Sequence, residues 1–588
     1  MKKTQFIYML FIVIFVSSCN LNYFETENNP LTYGKTYLDI KFSTDKSIYT
    51  PGENVIFKLK EIPKGARVRY MHLGNIIDDV EISTNTWIWS PPTDDFKGYM
   101  AIVYTEENNI ETVIHTLAID VSSDWSKFPR YGFLSDYQKI DKVFIDRNIE
   151  ILNRFHINGI QFYDWLYDHQ RPYPGTIDNP SESWPDIFYR TNYFNTIKSY
   201  IEAAKQRNMK TMFYNLCYGA TNNAAADGVN EEWYIFNDKN HSIKDYHDLS
   251  GGRSNIWLLD PGNTKWQDYI INKNNEIYET LGFDGYHIDQ LGSRGTRYDY
   301  NGNKVDIPQT YQSFVTAMKN ASPSKSLLFN AVDGYGQENI AKSPVDFLYV
   351  EVWGAREGDR PEMNFNDIIM MMRNNVLLSN EEKSIVLAAY MNYNISSVGF
   401  VNTPSILLVN ASIFAWGGAH LELGEHYLIN EYFPSNNLQM HAELGNKLIN
   451  YYDFLVAYEN ILRDGGNFQG ANVRFVNSEV ACVQWPATKG KVATIGKRVN
   501  EKDVIHLINF SDAKHMIWRD PKGTQAEPKL IESPIIEIEV SGNPSKVWFA
   551  SPDVLGGYAQ ELQFSKEVGK ITLKIPSLKY WDMIVIEY

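Results

Sequence analysis

Phe283-Asp284-Gly285-Tyr286-His287-Ile288-Asp289-Gln290-Leu291-Gly292 reads as a short apolar strand that delivers a carboxylate at its end. A helical stretch from about Thr264 to Thr280 precedes it, and an apolar run with a helix before it is the pattern of a parallel strand buried on both faces. The same unit recurs on either side. Upstream stand Gly159–Tyr163, Lys210–Asn215 and Ile256–Asp260; downstream stand Leu327–Asn330, Phe347–Glu351, Ile385–Tyr390 and Ile406–Val409, the last running toward Trp416-Gly417-Gly418. Ile145, Ile149, Leu152 and Phe155 mark one intervening helix, and Ile197, Ile201 and Ala204 another. Eight strands with room for a helix between neighbours predict a central (β/α)8 TIM barrel over residues 123–464. A doubly wound open sheet is the alternative, but no Gly-rich phosphate fingerprint follows the first strand.

Outside this core the period changes from 3.6 to 2. Leu38-Asp39-Ile40-Lys41-Phe42, Val55–Leu59, Thr86–Trp89 and Tyr99–Tyr104 alternate, with a turn at Thr50-Pro51-Gly52-Glu53, and predict an N-terminal Ig-like β-sandwich over 35–122. After Asp464-Gly465-Gly466 the alternation returns at Val473–Val476, Val504–Ile508, Ile535–Val540 and Ile571–Ile575, predicting a C-terminal antiparallel β-sandwich over 465–588. Trp87 and Trp89 share a strand face, as a sugar platform or a core would have them, whereas Trp257 inside a strand reads as structural.

The first residues carry an address. Lys2 and Lys3 precede an apolar run, Phe6 to Val16, that is too short to span a bilayer and ends at Ser17-Ser18-Cys19. Residues 1–19 therefore read as a signal peptide, Val16-Ser17-Ser18-Cys19 resembles a bacterial lipobox with Cys19 as the lipidated residue, and polar residues 20–34 read as a tether. The expectation is a monomeric soluble body, secreted and anchored by lipid to a bacterial membrane, with no other membrane contact. Only Cys217 and Cys482 remain, too few for a disulfide framework or a four-Cys zinc site. The net charge of −16 repels phosphate backbones and excludes nucleic acid as a partner, while a neutral polymer is indifferent to it.

In such a barrel, chemistry sits where strands end. The polar and aromatic residues found there are Tyr163, Asp164, Trp165, Tyr214, Asn215, Asp260, His287, Asp289, Gln290, Asn330, Asp333, Glu351, Trp353, Tyr390, Asn392, His420 and Glu422. Glu351 lies between Val350 and Val352, surroundings that favour a protonated carboxyl, whereas Asp289 has polar neighbours in His287 and Gln290 that favour the ionised form. Two carboxyls with opposed environments, on the fourth and sixth strands, suit glycoside hydrolysis. His420, Glu422, Glu425 and His426 have ligand chemistry, but their spacing matches no zinc motif; they read as sugar-hydroxyl partners or loop caps, and no metal or cofactor is expected.

Gln161-Phe162-Tyr163-Asp164-Trp165 with His169 and Arg171-Pro172, the stretch Phe283 to Gly292, Tyr349-Val350-Glu351-Val352-Trp353, and Gly417-Gly418-Ala419-His420-Leu421-Glu422-Leu423-Gly424 resemble the motifs of glycoside hydrolase family 66, the bacterial endo-dextranases and cycloisomaltooligosaccharide glucanotransferases. The resemblance implies a retaining mechanism with Asp289 as nucleophile and Glu351 as acid/base, and substrate-binding loops at Tyr163-Asp164-Trp165 and Gly417 to Glu422; by their strand-end position Tyr214, Asn215, Asp260, His287, Gln290, Asn330, Trp353, Tyr390 and Asn392 are also expected to bind substrate. It implies dextran and isomaltooligosaccharides as the neutral α-glucan partners. The glucanotransferases carry an inserted carbohydrate-binding module, which the longest interval between assigned strands, Asn215 to Ile256, is too short to hold; plain endo-hydrolysis is therefore expected. A retaining α-glycosidase of other linkage specificity and a non-catalytic glycan-binding lipoprotein are the competing readings.

Overall fold

The computed structural model describes residues 38–353, 363–429 and 437–588. The expected leader, tether and Cys19 lie outside the described residues. The structure is multidomain and rich in β-strand, and among the described residues no helix is long and apolar enough to cross a membrane.

Eight parallel strands form its centre: β1 Tyr131–Leu134, β2 Gly159–Phe162, β3 Lys210–Leu216, β4 Gly285–Asp289, β5 Ser326–Phe329, β6 Leu348–Val352, β7 Ile385–Ala389 and β8 Ala419–His420. Strands β1 to β5 pair in sequence order in one parallel sheet, and β6 to β8 in another. A parallel bridge between Asn330 and Tyr349 joins β5 to β6, and Phe133 on β1 donates its N–H to Leu423 O, just past β8, at 3.1 Å. One helix follows each strand: α1 Lys142–Arg154, α2 Phe194–Gln206, α3 Thr264–Thr280, α4 Ile307–Ala321, α5 Gln337–Ala341, α6 Phe365–Leu378, α7 Thr403–Ala415 and α8 Ala442–Ala457. Short polar caps start several of them. Asp141 accepts from Val143 N before α1, Asn263 from Lys265 N before α3, and Asn402 from Ser405 N before α7, each satisfying an N–H that the first turn leaves without a partner.

Two strand assignments need correction, and one strand was not assigned. Ile256–Leu258 is not a parallel strand: it pairs antiparallel with Gly219–Ala220 and Tyr246–His247 in a small sheet within the β3–α3 connection. Ile256 and Leu258 are buried while Trp257 is half-exposed, the alternation of a one-sided strand, which four consecutive apolar letters conceal. Ile406–Val409 lies inside α7, where every residue from Ser405 to Ala415 is buried; a helix apolar all round has no period to distinguish it from a buried strand. The eighth strand is instead Ala419–His420, and the first is Tyr131–Leu134. One omission and one insertion upstream cancel, so Asp289 and Glu351 do stand on the fourth and sixth strands. The β3–β4 interval, however, now runs from Leu216 to Gly285, longer than the strand assignment from sequence allowed.

Before β1, a three-stranded and a four-stranded antiparallel sheet enclose one core. Trp87 stacks on Phe57 with centroids 5.2 Å apart and Trp89 on Tyr70 at 4.1 Å, so both rings pack inward rather than offering a platform. After α8, a seven-stranded sheet, antiparallel except where Cys482–Gln484 pairs with Val492–Val499, and a four-stranded antiparallel sheet enclose a third core. Helix α8 holds the parts together. Its buried Asp453 accepts from Arg154 Nη1 at 2.9 Å and Nη2 at 2.8 Å, from Ala118 N in the N-terminal sheet at 3.0 Å, and faces His156 Nε2 at 2.7 Å. Gly98 makes the close approach possible, because a Cβ there would stand 2.0 Å from Val456 O. On the other side of α8, Phe454 packs on Trp581 at 4.6 Å. Burial works to raise the Asp453 pKa, but Arg154 and His156 outweigh it and hold it low. Asp453→Ala strands a buried guanidinium and is expected to cost about 3–5 kcal/mol, read as a lowered midpoint in thermal or urea unfolding. Because the folded-state pKa is depressed, the stabilisation from this carboxyl is present at neutral pH and fades as pH falls through that pKa.

Candidate active site

Asp289 is the last residue of β4 and Glu351 the last but one of β6, so both carboxyls leave the same end of the parallel strands. Asn330, directly after β5, sits between them. Its Nδ2 donates to Asp289 Oδ1 at 2.8 Å and to Glu351 Oε2 at 2.9 Å, and its Oδ1 accepts from Glu351 N at 3.1 Å. The two carboxyl oxygens thus lie no farther apart than those two bonds laid end to end. Tyr214 on β3 donates to Asp289 Oδ2 at 2.9 Å, and Tyr390, following β7, donates to Glu351 Oε1. Five consecutive strands each contribute one side chain. Asp289 and Glu351 are 7% and 6% exposed, open enough to be reached yet largely removed from water.

Those surroundings act on Glu351. Burial and then the Asp289 charge push its carboxyl up to about 8, and the bonds from Tyr390, Asn330 and Trp353 reverse only part of that rise. At neutral pH Glu351 therefore holds a proton beside an oxygen-rich neighbour, the condition for donating it.

A second layer fixes this geometry. Gln290 Nε2 donates to Asn330 O at 3.2 Å, while Gln290 Oε1 accepts from Gly292 N at 2.6 Å and Tyr311 Oη at 3.3 Å. Tyr218 Oη accepts from Leu291 N at 2.6 Å. His287 lies within the strands, stacked on Tyr131 at 5.8 Å and edge-on to Tyr349 at 4.6 Å; burial drives its imidazole down to about 3, so it is neutral. Asp333, at φ 48°, accepts from Trp353 N at 2.9 Å. From the C-terminal region, Arg519 Nη2 donates to Val352 O at 2.8 Å, next to Glu351 in the chain, with its guanidinium 5.5 Å from the Tyr393 ring. The loop bearing Arg519 is tied down: Asn392 N donates to Arg519 O at 2.9 Å, Asn392 Nδ2 to Asp520 O at 2.8 Å, and Asn394 N to Pro521 O at 2.9 Å.

The glycosyl hydrolase family 66 model matches residues 44–585 of this sequence. The chain belongs to glycosyl hydrolase family 66. A cycloisomaltooligosaccharide glucanotransferase of Niallia circulans is 26% identical, over 92% of this chain and 71% of the relative. A dextranase of Streptococcus salivarius is 22% identical, over 83% of this chain and 67% of its own length. The crystal structure of a Paenibacillus sp. cycloisomaltooligosaccharide glucanotransferase complexed with cycloisomaltoheptaose matches with a TM-score of 0.82 at 25% identity, covering 93% of this chain and 99% of that one. Membership of family 66 makes this an α-glucan-acting glycoside hydrolase or transferase.

The other strand-end residues of this family 66 chain are placed as follows. Tyr163 packs its ring 4.5 Å from that of Tyr214, at the edge of the carboxyl pair. Asp164, at φ 48°, has Arg190 Nη2 at 3.9 Å. Trp165 is fully buried and donates Nε1 to Tyr214 O at 3.0 Å, so it supports the tyrosine from beneath. Asn215 donates to His169 O at 2.9 Å and Asp260 Oδ1 accepts from Gly262 N at 2.8 Å, each shaping its own loop. Asn392 belongs to the attachment of the Arg519 loop. Glu422 accepts from Asn410 at 2.8 Å, Tyr427 at 2.6 Å and Tyr452 at 2.9 Å, and His420 lies between Asn410 Oδ1 and Ala389 O. Glu425 accepts from Ser135 N, Ser135 Oγ and Asp136 N. Among the described residues no group of three His, Cys, Asp or Glu is arranged to hold a metal ion. Sequence reasoning passed over Tyr218, Tyr311 and Arg519. The tyrosines sit outside the apolar runs and Arg519 lies well beyond α8, which ends at Ala457, so no local pattern marks them.

Proposed function

We propose that the chain is an endo-acting retaining hydrolase of the α-1,6 linkages of dextran, releasing isomaltooligosaccharides from a (β/α)8 barrel held between two β-sandwiches. The observation that carries this reading is the shared Asn330 amide. It holds one oxygen of each carboxyl at most two hydrogen bonds apart, a closeness that supports the roughly 5–5.5 Å carboxyl spacing of retaining enzymes over the roughly 6.5–9.5 Å of inverting ones. In the first step Asp289 attacks the anomeric carbon while Glu351 gives its proton to the departing glycosidic oxygen. Esterification cancels the Asp289 charge, which removes one cause of the raised Glu351 pKa and readies Glu351 to accept a proton. In the second step Glu351 takes a proton from water, the water oxygen attacks the anomeric carbon, and Asp289 leaves as carboxylate.

A dextran chromatogram taken before and after incubation tests the reading: polymer size should fall early with linear isomaltooligosaccharides appearing, and proton NMR should show the first-formed reducing ends as α-anomers. Intact polymer, or β-anomers first, would overturn it. Transfer to a sugar hydroxyl, with cyclic products, is the second reading, favoured by the 26% identity to glucanotransferases against 22% to a dextranase. Because the proton on Glu351 is required, kcat/KM should fall above about pH 8. Tyr390→Phe removes a donor that favours the charged carboxylate, so this basic limb should move to higher pH in a rate–pH profile. Export and a lipid on Cys19 complete the proposal, since a polymer of this size is met outside the cell; fatty-acid labelling that survives in Cys19→Ala would sink that part.

A further inference from the structure

The small antiparallel sheet in the β3–α3 connection presents something the catalytic centre does not use. Tyr246 and Trp257 face each other across it as register partners, with ring centroids 5.1 Å apart and planes tilted by 44°. Tyr246 is 43% exposed and Trp257 half-buried, whereas Ile256 and Leu258 on either side do the packing. The indole is also held in place: Trp257 Nε1 donates to exposed Asn222 Oδ1 at 2.7 Å. A ring fixed by a hydrogen bond and only partly covered is ready to stack a sugar.

The pair is anchored to the catalytic strands. β3 ends at Leu216, register partner of Asp289, and Ala220, four residues on, pairs with Trp257. Chain geometry therefore keeps the Trp257 Cα within roughly 25 Å of the Asp289 Cα, on the side where the strands end. A second tie comes from the connection after β4. Arg294 donates to Tyr246 O at 2.8 Å and forms an ion pair with Asp245 at 2.8 Å.

We propose that Tyr246 and Trp257 form an outer subsite that stacks a glucosyl unit of the polymer several units away from the bond being cut. The inference rests on the α-glucan reading and adds that chain length is part of recognition. On this proposal a short oligosaccharide bound across Asp289 and Glu351 stops short of the pair, and a long chain reaches it.

The test compares long dextran with isomaltotriose on the full chain. Trp257→Ala and Tyr246→Ala should raise KM for dextran roughly five- to tenfold, the scale of one lost aromatic contact, with kcat unchanged and both constants for isomaltotriose unchanged. Asn222→Ala, which only frees the indole, should give a smaller rise of the same kind, and serves if the larger truncations fail to fold. Equal effects on long and short substrates, or none on either in folded variants, would overturn the subsite. If the unaltered chain ignores dextran but cuts another glucan, the linkage reading fails, and the long-to-short comparison made on that glucan still decides the inference.

Discussion

Asp289→Asn should lose about ten-thousandfold or more in turnover on dextran while still binding it, because the amide keeps the shape of the site but cannot attack the anomeric carbon. The hydrogen bonds support this separation of binding from chemistry. Tyr214 and Asn330 hold the side chain by donating to it, and a flipped amide can still accept through one oxygen. Binding is read by affinity electrophoresis in dextran-loaded gels, turnover by reducing-end release. Asp289→Gly opens the space that a small anion fills, so azide should restore cleavage and yield a glycosyl azide of inverted anomeric configuration. Undiminished cleavage by Asp289→Asn would remove the nucleophile from Asp289 and with it the covalent mechanism.

Glu351→Gln should cost roughly a hundred- to ten-thousandfold on dextran, the range of a lost general acid. The loss should shrink sharply in the first step for a substrate whose leaving group departs without protonation, such as a dinitrophenyl glycoside or a glycosyl fluoride. The distinction matters because Glu351 is also structural: its backbone N–H and its carboxyl both bond Asn330, and Tyr390 donates to it. A residue needed only to hold Asn330 would damage both substrates alike. Equal losses would therefore count against the acid role even though activity had fallen.

How much of this was legible depended on which interactions are local. β4 and β6 announce themselves because apolar runs with a terminal carboxylate need no partner to be recognised, and Asp289 and Glu351 follow from them. β8 has two residues, too few for any period, and α7 is buried all round and so looks like a strand. The bridging role of Asn330 exists only because β5 and β6 meet in the Asn330–Tyr349 register, a contact the order of letters does not contain. The same limit explains Glu422 and Asn392. Strand-end position marks both, but whether such a side chain turns to the cleft or into the scaffold depends on Asn410, Tyr427 and Tyr452 in one case and on Asp520 in the other.

The Arg519 loop bears on how this protein could have diversified. Ile517 bridges Asn364, Phe365 N donates to Met516 O at 3.1 Å, and Arg519 reaches the carbonyl beside Glu351. A recombination event that exchanged only the segment after α8 would replace Arg519 and its loop while leaving Val352, Asn364 and Asn392 behind, and would break the attachment at each of those points. The heritable module is thus not the C-terminal sheets alone but those sheets together with the β6–α6 and β7–α7 connections, so shuffling of this region is constrained by the catalytic centre itself.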